Sequence, residues 1–227
     1  MQQTKKRYTI GEEIFNSVTH GVGVLIAIAF MVLLIIKSQG NPPLIIANII
    51  YGVSLMLMFL FSTLYHAITN TKAKKVLRYF DHSAIFICIA GTFTPIIVRV
   101  LQGAQRVGFL VAIWLIALVG IILKITIFRK NLQEKYKKQS LILYVVMGWM
   151  SVLLMKNVIQ ISGILSFILI LSGGILYSIG VYFYAKKRKY FHSIWHIFII
   201  LASVAQFFGI YFLSLIHISE PTRLLSI

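Results

Sequence analysis

The chain has 227 residues, of which 59% are hydrophobic and only 12% are charged. A soluble domain cannot hide that much apolar surface, and the apolar residues form long uninterrupted runs rather than periodic stripes. The formal net charge of +17 would suggest nucleic acid as a partner of a soluble protein. Here most of the Lys and Arg residues lie in short connections between apolar runs, where they set orientation and contact anionic headgroups. We therefore expect membrane lipids as partners and no nucleic acid.

Seven apolar segments predict an all-α fold, a polytopic bundle of seven transmembrane helices. Most are near the 20 or so residues that a helix needs to cross a bilayer. No soluble domain or internal repeat interrupts them, so we expect one membrane domain over residues 1–227. A single cysteine, Cys88, excludes a disulfide within the chain and a cysteine-based zinc module. The predicted spans are approximately 18–36, 44–66, 80–101, 108–126, 140–156, 162–184 and 192–215.

The basic residues predict the orientation of the bundle. Most of the 22 Lys and Arg residues fall at the N-terminus and in the connections after the second, fourth and sixth segments. Because cytoplasmic connections are enriched in Lys and Arg, we expect the N-terminus in the cytoplasm and the C-terminus outside. The last stretch, 214–227, is unlike the rest of the chain and resembles an adaptor-derived read-through. We expect it to be a non-native tail and assign it no function.

A pair of histidines begins the last apolar segment. His192 and His196 are four residues apart, so on a helix they lie on one face, one turn from each other. That spacing suits two imidazole ligands of one metal ion. It also suits two interfacial histidines that hydrogen-bond to loops or lipid headgroups.

The predicted topology brings further polar residues to the same depth in the membrane. The second segment ends there, the third and seventh begin there, and the first is entered from there. Ser62 is one turn before His66 and shares its helix face. The residues collected at this level are Glu13, Asn16, His20, Ser62, His66, Asp81, His192 and His196.

Three of these histidines together match a known kind of metal site. His66, His192 and His196, with one open position, form the ligand set of a catalytic zinc ion. A nearby carboxylate such as Asp81 can orient a metal-bound water, and Ser62 can bind a ligand or an oxyanion. Ionisable groups within a span are costly and are usually functional.

Each residue also has a purely structural interpretation. His66 alone can face headgroups, and Asp81 can pair with Arg78 or cap the third helix. Ser62 can bond back to the carbonyl of Met58, as serines in membrane helices often do. His20 can cap the helix or pack beside Asn16, and His82, about 100° around the helix from Asp81, is interpreted as structural.

Four motifs give the chain a family resemblance. In order, helix assignment and spacing they resemble those of the bacterial hemolysin III proteins, which group with the progestin and adipoQ receptor family and the alkaline ceramidase-like membrane hydrolases. The resemblance runs to about Phe212. The motifs are EIFNSVTHG at 13–21, STLYH at 62–66, DHSAI at 81–85 and HSIWH at 192–196.

The resemblance implies a seven-helix bundle in the bacterial plasma membrane with zinc near its cytoplasmic face. It implies His66, His192 and His196 as zinc ligands, Asp81 holding the metal-bound water and Ser62 within the site. It further implies Glu13 and Asn16 as polar supports on the first helix, where His20 also lies. The receptor members resemble ceramide-type amide hydrolases, whereas the bacterial members are named for haemolysis.

Three functions remain open from the sequence. The first is an intramembrane zinc-dependent hydrolase of a lipid amide or ester. The second is a pore-forming cytolysin, against which stands the absence of any polar stripe long enough to line a water-filled path. The third is a receptor-like sensor in which zinc is structural. The substrate and the oligomeric state are not determined by the sequence.

Overall fold

The structure is a computed structural model, and it describes residues 8–133, 135–186 and 188–215. Within these residues the fold is entirely helical, with seven α-helices, one short 3₁₀ helix and no strand. The predicted non-native tail lies almost wholly outside the described residues. The α-helices are α1 (Ile10–Lys37), α2 (Pro42–Ala67), α3 (Thr71–Val100), α4 (Gly103–Arg129), α5 (Lys137–Trp149), α6 (Met155–Ala185) and α7 (Phe191–Leu215).

The first three helices begin at local capping signals, and α1 and α3 begin eight or more residues before the predicted spans. Thr9 caps α1 in a reciprocal capping box with Glu12, and Asn41 and Asn70 cap α2 and α3 with their side-chain oxygens. Helix α1 therefore starts at Ile10 rather than near residue 18. As a result the polar residues that precede the first apolar run belong to a regular helix, and one helix face presents them to the bundle.

The stretch from α5 to α6 folds back on itself. It contains the 3₁₀ helix Met150–Leu154, and Gly163 has a left-handed φ of 76°. The Lys137 amine donates to the Tyr184 carbonyl at 3.3 Å, and the Trp149 indole donates to the Ser178 hydroxyl at 3.0 Å. A straight helix would separate positions 137 and 184 by about 70 Å. The two arms are therefore antiparallel, with the bend near Gly163.

The composition and length of the helices make this a multi-pass membrane protein. Across the described residues, six helical stretches are long and apolar enough to cross a bilayer, with Lys137–Ala185 counted as one stretch. The most hydrophobic part of α3 is 72% buried, against 22% for α1 and for α4. Helix α3 is thus the central helix, and its Gly91 packs so closely on Ser54 of α2 that an added Cβ would collide with that side chain.

Candidate metal centre

The first turn of α1 is linked to the start of α7, the helix that carries His192 and His196. Residue Tyr190 has a left-handed φ of 61° and directly precedes α7. Its amide donates to the Glu12 carboxylate at 2.8 Å, while the other oxygen of that carboxylate caps α1 through Thr9. One acidic side chain therefore joins the first turns of α1 and α7, next to the position where α7 presents His192.

Three imidazoles converge at this end of the bundle. The Nε2 atom of His192 lies 3.2 Å from Nε2 of His66 and 3.1 Å from Nε2 of His196. His66 and His196 are buried, and His192 is partly exposed. Among the described residues these three form the one group of His, Cys, Asp or Glu side chains with the mutual spacing of metal ligands.

Glu13 sets the tautomer of His66. A carboxylate oxygen of Glu13 lies 2.6 Å from Nδ1 of His66, and Lys74 donates to the other oxygen at 2.8 Å. The Nδ1–H group of His66 donates a hydrogen bond to this carboxylate, so that Nε2 of His66 presents a lone pair to the cluster. A carboxylate on the outer nitrogen of a metal-binding histidine is the common arrangement in metal sites, where it fixes the tautomer and the ring orientation.

The short contacts between the three imidazoles are hard to satisfy by hydrogen bonds between neutral rings. Since Nε2 of His66 is an acceptor, neutral rings can satisfy both short contacts only if His192 shares one proton between its two neighbours. A bound cation accepts all three lone pairs at once. The cluster can therefore bind a metal ion.

Asn16 and His20 support the same cluster from α1. The Ser193 hydroxyl, between the two α7 histidines, donates to the Asn16 side-chain oxygen at 2.7 Å. The His20 ring stacks on His196 with centroids 3.6 Å apart and planes 18° apart. Both nitrogens of His20 are buried without a hydrogen-bond partner. His20 is thus packed against a candidate ligand as well as on the helix face of Asn16.

Ser62 lies buried in α2 with an unsatisfied hydroxyl. It is 2% exposed, and its Oγ has no hydrogen-bond partner, so the bond back to the Met58 carbonyl is not formed. The neighbouring Thr63 does make such a bond, to the Phe59 carbonyl at 2.8 Å. A buried hydroxyl without a partner is costly, so Ser62 is available to a ligand in a way that Thr63 is not.

Asp81 is deep in α3 and neither caps that helix nor pairs with Arg78. The helix begins ten residues earlier, at Thr71, and Asp81 instead lies 3.1 Å from Nδ1 of His82. Its carboxylate is also within electrostatic range of the His66 and His20 rings. The contact that defines the position of Asp81 is therefore the one with His82, its neighbour in the chain.

The sequence matches one family profile over residues 8–207. The chain belongs to the Haemolysin-III related family. It is 41% identical to the hemolysin-3 homolog of Bacillus subtilis over 208 residues, which cover 90% of this chain and 95% of that protein. It is 37% identical to hemolysin-3 of Bacillus cereus over 214 residues, which cover 93% and 95% of the two chains.

A more distant relative comes from mammals. The human monocyte to macrophage differentiation factor is 27% identical over 210 residues, which cover 89% of this chain and 84% of that protein. This homology connects the haemolysin-III chain to the progestin and adipoQ receptor family, as the four motifs predicted.

Sequence reasoning assigned His82 a structural role and missed the aromatic residues around the cluster. Nε2 of His82 lies 3.3 Å from the Tyr184 hydroxyl, and the Tyr144 hydroxyl donates to the His82 carbonyl at 2.8 Å. The Tyr8 ring stacks on His192 at 4.8 Å, and Tyr184 contacts the same imidazole from α6. Tyrosines near helix ends are common at membrane interfaces, so their sequence positions carried no signal of a site.

A large apolar cavity lies beside the metal centre in this haemolysin-III fold. It lies between α3, α5, α6 and α7, and its volume of about 1050 Å³ includes space open to the surroundings of the bundle. Tyr184 and Trp195 form its wall nearest the cluster, and both contact the His192 ring. Phe93, Ile96 and Ile170 line it further along the bundle. Two aromatic side chains of the cavity wall therefore contact His192 directly.

Proposed function

We propose that this chain is an intramembrane zinc-dependent hydrolase of amide or ester bonds in membrane lipids. The observation that carries the proposal is the convergence of three Nε2 atoms, 3.1 and 3.2 Å apart, at one end of an apolar bundle. Ser62 is buried one helical turn before His66, and buried Asp81 contacts His82 on α3. An apolar cavity reaches the His192 ring through Tyr184 and Trp195.

Zinc suits these donors better than calcium or magnesium does. Zinc–nitrogen bonds of 2.0–2.1 Å in a tetrahedron place the nitrogens about 3.3 Å apart, close to the observed separations. Imidazole ligands with a carboxylate on Nδ1 of His66 fit zinc, whereas calcium and magnesium prefer oxygen ligands. When bound, zinc would supply a Lewis acid and lower the pKa of a bound water to about 7.

The chain's own residues would supply the rest of the chemistry. Ser62 Oγ would donate a hydrogen bond to the substrate carbonyl oxygen, on which negative charge develops during attack. A carboxylate oxygen of Asp81 would orient the attacking water and hold its proton before that proton passes to the leaving group. Glu13 would keep Nδ1 of His66 protonated throughout. The aromatic wall of Tyr184 and Trp195 would limit the entry of bulk water.

The cavity supports a lipid as substrate. Its lining is almost entirely apolar, and it begins one helical turn from His192 at Trp195. An acyl chain in this cavity would place the group at its head next to the histidines. The described residues thus offer a site for the reacting group and a site for the chain.

The arrangement in the membrane belongs to the same proposal. Counting the two arms of the α5–α6 hairpin separately gives seven spans, so the termini would lie on opposite sides. The metal centre shares its end of the bundle with Lys74 and with the basic connections, which supports a cytoplasmic location for this end by the positive-inside rule. The Bacillus relatives support the bacterial plasma membrane as the location.

Metal content tests the proposal directly. Detergent-purified chain would be analysed by mass spectrometry beside the double variant His192→Ala/His196→Ala. We expect about one zinc per wild-type chain and none in the variant. Zinc-loaded wild type would then be screened with ceramide-like and other acyl lipids. A folded wild type that takes up no zinc would contradict the proposal.

The names of the relatives support a second candidate, a haemolytic pore. Purified monodisperse protein in liposomes would distinguish the two functions by its conductance. A sensor with structural zinc is the third candidate, and it predicts that zinc stabilises the fold without lipid turnover. Conductance that survives loss of the histidines would favour the pore.

A further inference from the structure

A second, smaller pocket adjoins the apolar cavity and shares a wall with it. We call it the basic pocket; it lies between α3, α4, α5 and α6. Leu141, Tyr144 and Tyr184 line both the pocket and the cavity. The other residues of the basic pocket are Arg78, His82, Lys124, Phe128, Gln133, Lys137 and Ser140.

Arg78 is the cation of this pocket with the fewest partners. Its Nε atom is buried and has no hydrogen-bond partner, and its guanidinium lies 5.1 Å from the centre of the Phe128 ring. Among the described residues no carboxylate forms an ion pair with it. A cation–π contact offsets only part of the cost of burying a guanidinium nitrogen, so this group favours an anion.

Two lysines add to the positive charge of the pocket. Lys124 is only 9% exposed, and its amine lies 5.5 and 5.7 Å from the Phe128 and Tyr144 ring centres. The Lys137 amine donates to the last carbonyls of α6 and lies over the Tyr184 ring at 5.3 Å. Both therefore direct their charge toward residues that line the basic pocket.

The sequence supplies too little negative charge to neutralise these cations. The connection between α4 and α5 contains one acidic residue, Glu134, which lies outside the described residues. Asp81 contacts His82, and even both acids together would leave the three cations in excess. Helix α5 also begins here without a side-chain cap and without an acid in its first turn, so its dipole adds positive potential.

We propose that the basic pocket binds an anionic headgroup of the phosphoryl class, carried by a lipid whose acyl chain occupies the apolar cavity. Arginine and lysines surround the headgroup position, and arginine binds phosphoryl oxygens in a bidentate manner. Pockets of this kind between membrane helices bind the headgroups of anionic lipids. The step from ligand to substrate rests on the proposed function. The binding site itself does not.

The position of the pocket defines the class of lipid. The shared wall residue Tyr184 contacts both His82 and His192, so a headgroup here lies on the metal-centre end of the cavity. A neutral ceramide-type lipid would bring no negative charge to the guanidinium of Arg78. We therefore expect an anionic glycerolipid or a similar acidic acyl lipid to be preferred.

Binding of lipids of equal chain length tests the proposal on the full chain. Native mass spectrometry would compare phosphatidylglycerol with phosphatidylcholine on the wild type and on Arg78→Gln. We expect wild type to prefer phosphatidylglycerol, and Arg78→Gln to weaken that binding about tenfold or more, as befits a lost charge-assisted contact. Arg78→Lys, which keeps the charge, should retain most of the preference.

Lys75→Gln is the matched control. It removes one charge from the same helix, three residues earlier and on an exposed position outside the pocket. We expect it to leave the preference unchanged. An equal loss in Lys75→Gln, or no preference in wild type, would overturn the proposal by showing only general surface attraction.

Two further measurements are added. The first distinguishes a lipid headgroup from free phosphate as the ligand, and the second distinguishes lipid binding from lipid hydrolysis. Inorganic phosphate that displaces phosphatidylglycerol at millimolar concentration would assign the pocket to the free anion, and a failure to compete would assign it to the lipid. Zinc content and lipid turnover would be measured on the same samples. Selective lipid binding without turnover would leave the anion site in place and remove the hydrolase function.

Discussion

Two buried serines of α2, Ser54 and Ser62, differ in how their hydroxyls are satisfied. Away from the metal centre, Ser54, Thr94 and Ser214 each donate to a carbonyl of their own helix at 2.8–2.9 Å. At the metal centre, Ser62 and His20 carry buried polar atoms without partners. A hydroxyl bonded to its own helix needs no further partner, whereas a buried polar atom without a partner can bind a ligand. Unsatisfied buried hydroxyls also occur elsewhere among the described residues, as at Ser166, so the informative comparison is between Ser54 and Ser62 on one helix.

The largest expected effect comes from removing a candidate ligand. His196→Ala should abolish zinc binding and lipid turnover together, because two remaining imidazoles leave a catalytic zinc site one ligand short. Zinc content and turnover would be measured on the same preparation. Full activity of the His196→Ala variant would contradict the hydrolase proposal, and the three histidines would then have only a structural role.

Substitution of Asp81 or Ser62 should reduce lipid turnover without removing the bound zinc. We expect Asp81→Asn and Ser62→Ala to retain zinc but to lower turnover by about 10²–10⁴-fold, the range for losing a proton-transfer group or an oxyanion donor. The measurement is kcat beside zinc stoichiometry. Loss of zinc in Asp81→Asn would instead make Asp81 part of the metal site, and unchanged turnover would remove it from the mechanism.

A smaller effect is expected from substituting Glu13, which contacts the candidate ligand His66 and is not itself a candidate metal ligand. Glu13→Gln keeps the shape of the side chain but weakens the contact to Nδ1 of His66, which should lower zinc affinity about 10–100-fold. Competition with a chelator of known affinity gives the measurement. Lys74→Gln, which removes only the outer partner of Glu13, is the control and should change the affinity less.

The sequence predicted the polar end of the bundle well. Helical periodicity alone placed His192 and His196 on one face, and the topology brought His66 to the same depth. The structure confirms that these three side chains meet. Positions on helices can be calculated from spacing, so any site built on helix faces is accessible to that kind of reasoning.

The rest depended on tertiary contacts that spacing does not encode. The contact of Glu13 with His66 spans 53 residues, and that of Tyr184 with His82 spans 102. The fifth predicted span, 140–156, also missed the true extent of its arm, because the 3₁₀ helix at Met150–Leu154 and the bend near Gly163 depend on local backbone geometry. Neither feature leaves a periodic signal in an apolar run.

The smallest effect is expected from substituting Ser54, a serine on α2 that serves as a matched control for Ser62. Ser54 is eight residues before Ser62, equally buried, and bonded to the Tyr51 carbonyl at 2.8 Å. Because that bond lies within one helix, Ser54→Ala should cost less than about 1 kcal/mol of unfolding free energy and leave zinc and turnover unchanged. Thermal unfolding and turnover of the two alanine variants, measured side by side, isolate the site from the helix. If Ser54→Ala lowered turnover as much as Ser62→Ala, the unsatisfied hydroxyl would have no special role, and the difference between the two serines would be one of packing alone.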